Sequence, residues 1–394
     1  MTATQVAPKL LSWASDIEPA TIAQAERTAR LDIVSGHVAL MPDAHVGIGS
    51  TVGSVVPTKN AIIPSCVGVD IGCGMIATET DLTANDLPGN IDQLMPLTAK
   101  GIPSGVGKGH AYGAGKVDAS FDDLGTPWTK LEGKLAETAA LQYGTLGSGN
   151  HFVELTLDER DVVWTVLHSG SRGVGNKLAT KHIEGAKGLM KERLGVEKLE
   201  DPSLAYLLDG EPAFDAYIQD MLWAQRYAMG NRQVMNKAFL KAVFKVVGKG
   251  GKKGTVVRTI NCHHNFTQRE THGGVDMWIT RKGAIKAAQG DLGVIPGSMG
   301  TRSYIVEGKG SAASYESCSH GAGRRMSRGE ARRNLTASSL KKAMAGRTWN
   351  EAQADSLVDE HPLAYKDIDQ VMADQADLVT VQHTLRQVFN YKGV

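Results

Sequence analysis

Residues 1–394 are expected to form one large α+β domain, with mixed β-sheets and flanking helices. Three observations lead there. Strand-like and helix-like patterns mix along the whole chain instead of separating into blocks. No long linker or break in composition divides it. The 45 glycines gather in short turns such as GIGSTVGS, VGVDIGCG, GTLGSGN, HSGSRGVGN and SHGAG, each beside a His, Asp, Cys or Ser. These turns follow no fixed period, so they read as one site built from many loops and not as a solenoid.

The elements follow in order. Residues 19–34 (PATIAQAERTARLDIV) have the apolar spacing of a helix. From HVALMPDAH to GMIATETD, short β-like runs alternate with glycine turns. Residues 99–127, rich in Gly, Ser and Lys, read as a loop, and 128–141 as a helix. VVWTVL (162–167) reads as a buried strand ending at His168. Residues 176–195 and 214–247 read as long helices, and GTVVRTINCHHNF (254–266) as a strand ending in two histidines. DMWITRKGA and SYIVEGKG read as further strands, and 327–345 and 366–388 as helices.

Composition narrows the function. A net charge of +1 offers no global attraction to nucleic acid or membrane, so such a partner needs a local patch. No apolar run approaches the roughly 18 residues of a membrane span, and the first residues lack a signal-peptide pattern. Four cysteines (66, 73, 262 and 318) in so long a chain make no disulfide framework. The expected location is the reducing cytoplasm, with free thiols available to metal.

The chemistry-bearing residues fall into clusters. CVGVDIGCGM sets Asp70 three residues before Cys73, with glycine on both sides of the thiol. His151, His168 and His264 each sit at a loop mouth after a strand-like run or a glycine turn. Any one of these histidines alone reads as an ordinary polar residue. All three beside a carboxylate and a thiol read as a metal site. Thiolate and imidazole suit divalent transition ions, and a carboxylate shifts the site toward harder ones. Five donors exceed one tetrahedral ion and make a two-metal site plausible. Neighbouring side chains on a strand point to opposite faces, so only one of His263 and His264 can readily enter a shared site. Further on, His320 lies in a serine- and glycine-flanked loop, as a ligand, base or nucleophile would. Behind it runs a basic stretch (Arg324, Arg325, Arg328, Arg332, Arg333, Lys341, Lys342, Arg347) opposed in sequence only by Glu330. A solvated helix face and a polyanion track both fit it. GVIPGSMGTRSY offers Ser298 and Ser303 to phosphate oxygens, or simply makes a tight turn before a strand.

Taken in order from about residue 40, MPDAHVGIGSTVGSVVPT, VGVDIGCGM, GTLGSGNHFVEL, LHSGSRGVGN, INCHHN, VIPGSMG, SCSHGAGRRMSR, HPLAYKDID and the terminal YKG resemble the RtcB family of RNA-splicing ligases. Residues 1–40 match weakly. The resemblance implies a ligase dependent on GTP and two Mn2+ ions. It would join RNA ending in a 3′-phosphate or 2′,3′-cyclic phosphate to a 5′-hydroxyl, in RNA repair or tRNA splicing, through His–GMP and RNA-ppG intermediates. By the same resemblance Asp70, Cys73 and His151 hold one ion, and Cys73, His168 and His264 the second. His320 takes up the guanylate, with Asp43 beside it. Asn150, Glu154, Ser298, Ser303, Ala322, Tyr365 and Lys392 line the guanylate pocket. Glu154 would accept hydrogen bonds from the guanine edge, and Tyr365 would stack on the base. Arg172 and Arg324 face RNA. The partners implied are RNA and GTP, with a helper protein of the archease type admitted and no membrane. The segment 101–125 lacks the arginine-rich loop of some relatives. Two rival functions use the same residues: a two-metal phosphodiesterase or phosphatase with His320 as acid or base, and a non-catalytic metal-containing RNA-binding protein.

Overall fold

A computed structural model of the chain describes residues 2–111, 119–194, 199–248, 251 and 253–394. Two large mixed sheets form the frame. The first has six strands in the order β1 (Thr4–Ala7), β2 (Leu10–Ser12), β3 (Val38–His45), β4 (Val52–Thr58), β12 (Val275–Lys282) and β11 (Asn265–His272). The second runs β10 (Val256–His263), β6 (Gly74–Thr83), β8 (Val162–Ser169), β7 (Phe152–Leu157), β18 (Val379–Lys392), β15 (Ser303–Gly308) and β14 (Leu292–Ile295), with β17 (Thr348–Trp349) also paired to β18. Two small pairs complete the strands: β13 (Ala284–Lys286) with β16 (Ser317–Ser319), and β5 (Ala61–Ile62) with β9 (Leu207–Leu208).

Nine α-helices lie among the described residues: α1 (Pro19–Ala29), α2 (Pro64–Val67), α3 (Leu94–Gly101), α4 (Gly133–Gln142), α5 (Arg172–Leu194), α6 (Pro212–Val247), α7 (Arg328–Asn334), α8 (Ala337–Ala343) and α9 (Ile368–Asp374). None of the described helices is long and apolar enough to cross a membrane. Pro19 and Pro212 open α1 and α6 at positions where a missing N–H costs nothing. The α6 helix backs the second sheet. Its Met235, Phe239 and Val243 bury against Val153, Leu155 and Leu167, and Phe239 stacks on Phe389 of β18 at 5.7 Å between centroids. Such a fully buried aromatic contributes about 1.5–3 kcal/mol by removal from water.

Most expected elements are where the patterns put them. Two differ. The helix read over 366–388 stops at Asp374, and residues 379–392 form the fourteen-residue strand β18. Its β-branched and aromatic residues gain pairing on both sides, with β7 and β15, and that long-range pairing outweighs a locally ambiguous apolar spacing. The helix read over 327–345 is two helices, because Thr336 starts a new one with a capping box to Ser339. Part of the loop read over 99–127, residues 112–118, lies outside the described residues, as does residue 195.

The register of the second sheet explains how distant residues meet. Gly74 opens β6 opposite Ser169 near the end of β8 and opposite His263 at the end of β10. Phe152 opens β7 opposite His168. Cys73, His151, His168 and His264 therefore emerge at one end of four neighbouring antiparallel strands, β10, β6, β8 and β7. Glycine at 74 is a steric necessity, since a Cβ there would stand 2.1 Å from the Cys262 carbonyl oxygen. Gly170 is likewise required, because a Cβ would collide with the Asp70 carboxylate at 2.0 Å. Behind this edge the fully buried Arg232 of α6 donates from Nη1 to the carbonyls of Gly72 (2.8 Å) and Ser169 (2.9 Å), tying the thiol loop to the histidine strand.

Candidate active site

The five expected donors form one continuous cluster. Asp70 Oδ2 lies 3.1 Å from His151 Nε2, and Cys73 Sγ lies 3.3 Å from both His151 Nε2 and His168 Nε2. His168 Nε2 in turn faces His264 Nε2 at 3.2 Å. The Nδ1–H of His168 donates to the Asn150 carbonyl at 3.0 Å, which leaves the lone pair on Nε2. Burial holds both His168 and His264 well below the usual imidazole range, with neighbouring histidines adding to it. Imidazole nitrogens, a thiol and a carboxylate converging at these distances are a donor set that fits a divalent cation. Burial, and then Asp70, push the Cys73 thiol well up, and a bound divalent ion reverses that direction. The pair left open by strand alternation is decided by geometry: His263 Nδ1–H turns back to the Gly72 carbonyl at 2.8 Å, and His264 enters the cluster.

His320 adjoins this cluster, its ring 4.8 Å from that of His264 between centroids. Its Nδ1–H donates to Asp43 Oδ2 at 2.6 Å, and the same oxygen accepts the backbone N–H of His320 (3.2 Å) and Gly321 (3.3 Å). Asp43 is wholly buried. Burial raises its carboxyl, but His320 outweighs that and holds it below the ordinary value. The Nε2 of His320 is thus the ring nitrogen left turned away from Asp43.

A cavity of ≈ 290 Å³ joins the two groups. That is near the lower end of small-molecule sites, about 300–1,000 Å³. Asp70, Cys73, His168, His264 and His320 line it together with Asn150, Glu154, Ser298, Ala322, Arg324, Tyr365 and Lys392. Lys392 gets there because β18 pairs with β7 in a register that sets Lys392 opposite Phe152 and Asn390 opposite Glu154. Its Nζ then lies 3.0 Å from Glu360 Oε2. Asn390 donates to Glu154 Oε1 at 2.7 Å, while Glu154 Oε2 is buried with no partner among the described residues. Burial pushes the Glu154 carboxyl up to about 8, against the pull of Lys392. An unpartnered carboxylate oxygen at the cavity wall calls for a ligand that donates.

Three expected residues sit differently. Ser303 is buried at the start of β15 and does not line the cavity. Arg172 also lies outside the lining; its guanidinium donates to Thr145 Oγ1 and to the Gly105 and Lys108 carbonyls. Tyr365 donates its hydroxyl to Glu360 Oε2 at 2.7 Å, and the Arg324 guanidinium lies over its ring at 4.9 Å. The basic stretch after His320 is opposed in space far more than in sequence. Arg328 and Arg332 pair with Asp359, Arg328 also with Glu360, and Lys341 with Glu351.

Sequence reasoning missed Phe152, Glu360, Asn390 and His45, all of which line the cavity. His45 stands two residues after Asp43 in MPDAH, but the pairing of β3 with β4 shifts register between Leu40 and His45, so strand alternation could not have placed it.

Mixed sheets, flanking helices and a Cys73, His151 and His168 group that could hold a metal ion, beside a buried Asp–His pair, fit a metal-dependent enzyme. The family model described as tRNA-splicing ligase RtcB matches residues 24–393, and the chain belongs to that family. The RNA-splicing ligase RtcB of Escherichia coli K12 is 44% identical over 406 residues, covering 99% of this chain and 98% of its own. The tRNA-splicing ligase RtcB of Nanoarchaeum equitans is 27% identical over 427 residues, covering 90% and 87%. The family match starts at residue 24, earlier than the motifs alone reach.

Proposed function

We propose that this protein is an RNA ligase that seals 3′-phosphate or 2′,3′-cyclic phosphate ends to 5′-hydroxyl ends, working as one unit over residues 1–394. The observation that carries the reading is His320 Nε2, left free by the 2.6 Å bond from Nδ1 to Asp43, beside five converging donors, four of which (Asp70, Cys73, His168 and His264) line the same cavity. In this reading Asp70, Cys73, His151, His168 and His264 hold divalent manganese, which when bound neutralises phosphoryl oxygens as a Lewis acid. His320 Nε2 attacks the α-phosphorus of GTP. The N–P bond forms, pyrophosphate leaves, and positive charge develops on the ring, where the Asp43 carboxylate stabilises it.

Glu154 Oε2 accepts from the guanine edge, with Asn150, Ser298, Ala322, Tyr365 and Lys392 around the nucleotide. The RNA 3′-phosphate then takes the guanylate from His320, and attack by the 5′-hydroxyl releases GMP. Arg324 at the cavity wall, and Arg172 once its loop carbonyls yield it, meet RNA phosphates. Cytoplasmic location and resetting by a helper protein of the archease type belong to the same reading.

Intact mass after incubation with GTP and manganese tests it. One added GMP, stable to denaturation, labile to acid and absent from His320→Ala, is expected. RNA cleavage without GTP uptake would replace the ligase with a phosphodiesterase.

A further inference from the structure

His45 has no part in the chemistry above, yet it lines the same cavity as His320. Its Nδ1–H donates to the Asp43 carbonyl oxygen at 2.9 Å. That bond assigns the tautomer and leaves the lone pair on Nε2, which has no partner among the described residues. Burial, the largest influence, holds the ring neutral, down to about 4. The charged groups acting on it are Asp43 on its own strand, His320 and Lys366.

Two sets of residues on the cavity wall bear on the role of His45. One stands on β7 and β18: Phe152, Glu154, Asn390 and Lys392, joined by cross-strand pairing. The other stands on β3, β4 and the turn after β12: His45, Val52, Lys282 and Gly283. His45 pairs with Val52 in the sheet. A Cβ at Gly283 would lie 2.4 Å from Val52 Cγ1 and 3.0 Å from His320 Cε1, so His320 borders this second group. The proposed guanylate occupies the first group. The second is left for the RNA ends, and the loop following His45 is open, with Ile48 90% exposed.

We infer that His45 is the general base of the sealing step, its Nε2 taking the proton from the 5′-hydroxyl as that oxygen attacks the activated phosphate. This rests on the ligase reading. The balance is simple: the 5′-O–P bond forms, the bond from that phosphorus to GMP breaks, and the hydroxyl proton passes to His45. A hydroxyl is a poor nucleophile until its proton has somewhere to go; positioned bases contribute about 10²–10⁴-fold, and one held this far below neutral pH belongs at the lower end. The Asp43 backbone carbonyl holds the base and the Asp43 carboxylate holds the nucleophile, so one residue sets both imidazoles.

The test separates the steps with His45→Asn, whose amide N–H takes the place of Nδ1–H and can still donate to the Asp43 carbonyl. His320–GMP formation is read by intact mass. Sealing is read in single turnovers with presynthesised RNA-3′-ppG and a 5′-hydroxyl strand. Sealing is expected to fall about 10²-fold more than guanylylation, with activated RNA accumulating. A 5′-thiol strand, ionised near pH 8.5 without help, is expected to bring the variant within about threefold of wild type. Equal losses in both steps, an undiminished sealing rate, or the same defect with the thiol strand would each overturn the assignment. A wild-type protein that neither takes up GMP nor joins the activated strand would overturn the ligase reading as well.

Discussion

Replacing Asp43 by asparagine removes a charge from behind His320 and almost no volume. Asp43 Oδ2 accepts three N–H groups, at 2.6, 3.2 and 3.3 Å, while Oδ1 is buried with no partner. An asparagine oxygen can take the Oδ2 position and its NH₂ the empty one, so the tautomer and fold survive. The loss is the carboxylate's grip on a ring that becomes cationic as Nε2 bonds to phosphorus. Two unit charges at that separation interact by about 6 kcal/mol at an effective dielectric of about 20, an upper bound. The difference between a charge-assisted and a neutral hydrogen bond, about 1–2 kcal/mol, is the lower bound. We expect guanylylation of Asp43→Asn to be roughly 10²-fold slower. Asp43→Ala should be slower still, because two backbone N–H groups lose their acceptor and the imidazole loses its tautomer. Quenched time courses of GMP adduct formation at saturating GTP measure this, with thermal unfolding as the control for folding. An Asn variant within threefold of wild type would refute the charge argument. Equal rates for Asn and Ala would assign the effect to the charge alone and discount the hydrogen bonds.

Three further outcomes are expected. Guanosine needs Glu154 ionised to accept its N–H donors, and the free carboxyl stands near 8, so affinity should rise about tenfold per pH unit from 6 toward 8 and binding should release a proton. Calorimetry in buffers of different ionisation enthalpy checks this, and a flat profile counts against it. Manganese at about a hundred times its dissociation constant should stabilise the chain by about 2.7 kcal/mol, an effect seen in thermal unfolding and lost in His168→Ala; substitution by zinc or cobalt in the same assay ranks the ions. Glu360 is depressed to about 2: burial raises it, but Lys392 and Arg328 outweigh that. Its ionised form therefore stabilises the fold above the ordinary carboxyl range, and that contribution is lost as pH falls toward 2. In Lys392→Met the acid-unfolding midpoint should move to higher pH, and an unmoved midpoint would discount the pair.

Much of the candidate site was legible because its signals are local. A carboxylate three residues before a glycine-flanked thiol, and histidines at strand ends, can be read in windows of ten residues. What stayed illegible depends on pairing between distant strands. The run from Val379 to Lys392 has apolar residues at spacings that serve a helix or a strand, and only neighbours over 200 positions away along the chain, in β7, and some 75 away, in β15, decide for the strand. That decision carries Asn390 to Glu154 and Lys392 to Glu360, which no local pattern contains. The basic stretch after His320 looks unopposed for the same reason, since Asp359 and Glu360 reach it through space.

The sequence by itself determined which donor atoms exist, where the chain must be glycine, and the family those motifs share. Tertiary structure decided which histidine of the pair enters the cluster, that Arg172 is held by loop carbonyls, and that His45 stands in the cavity with a free nitrogen. The physical reason is that residue chemistry and turn preference are properties of neighbours in the chain, whereas orientation, burial and tautomer are set by strand register and by groups hundreds of residues apart.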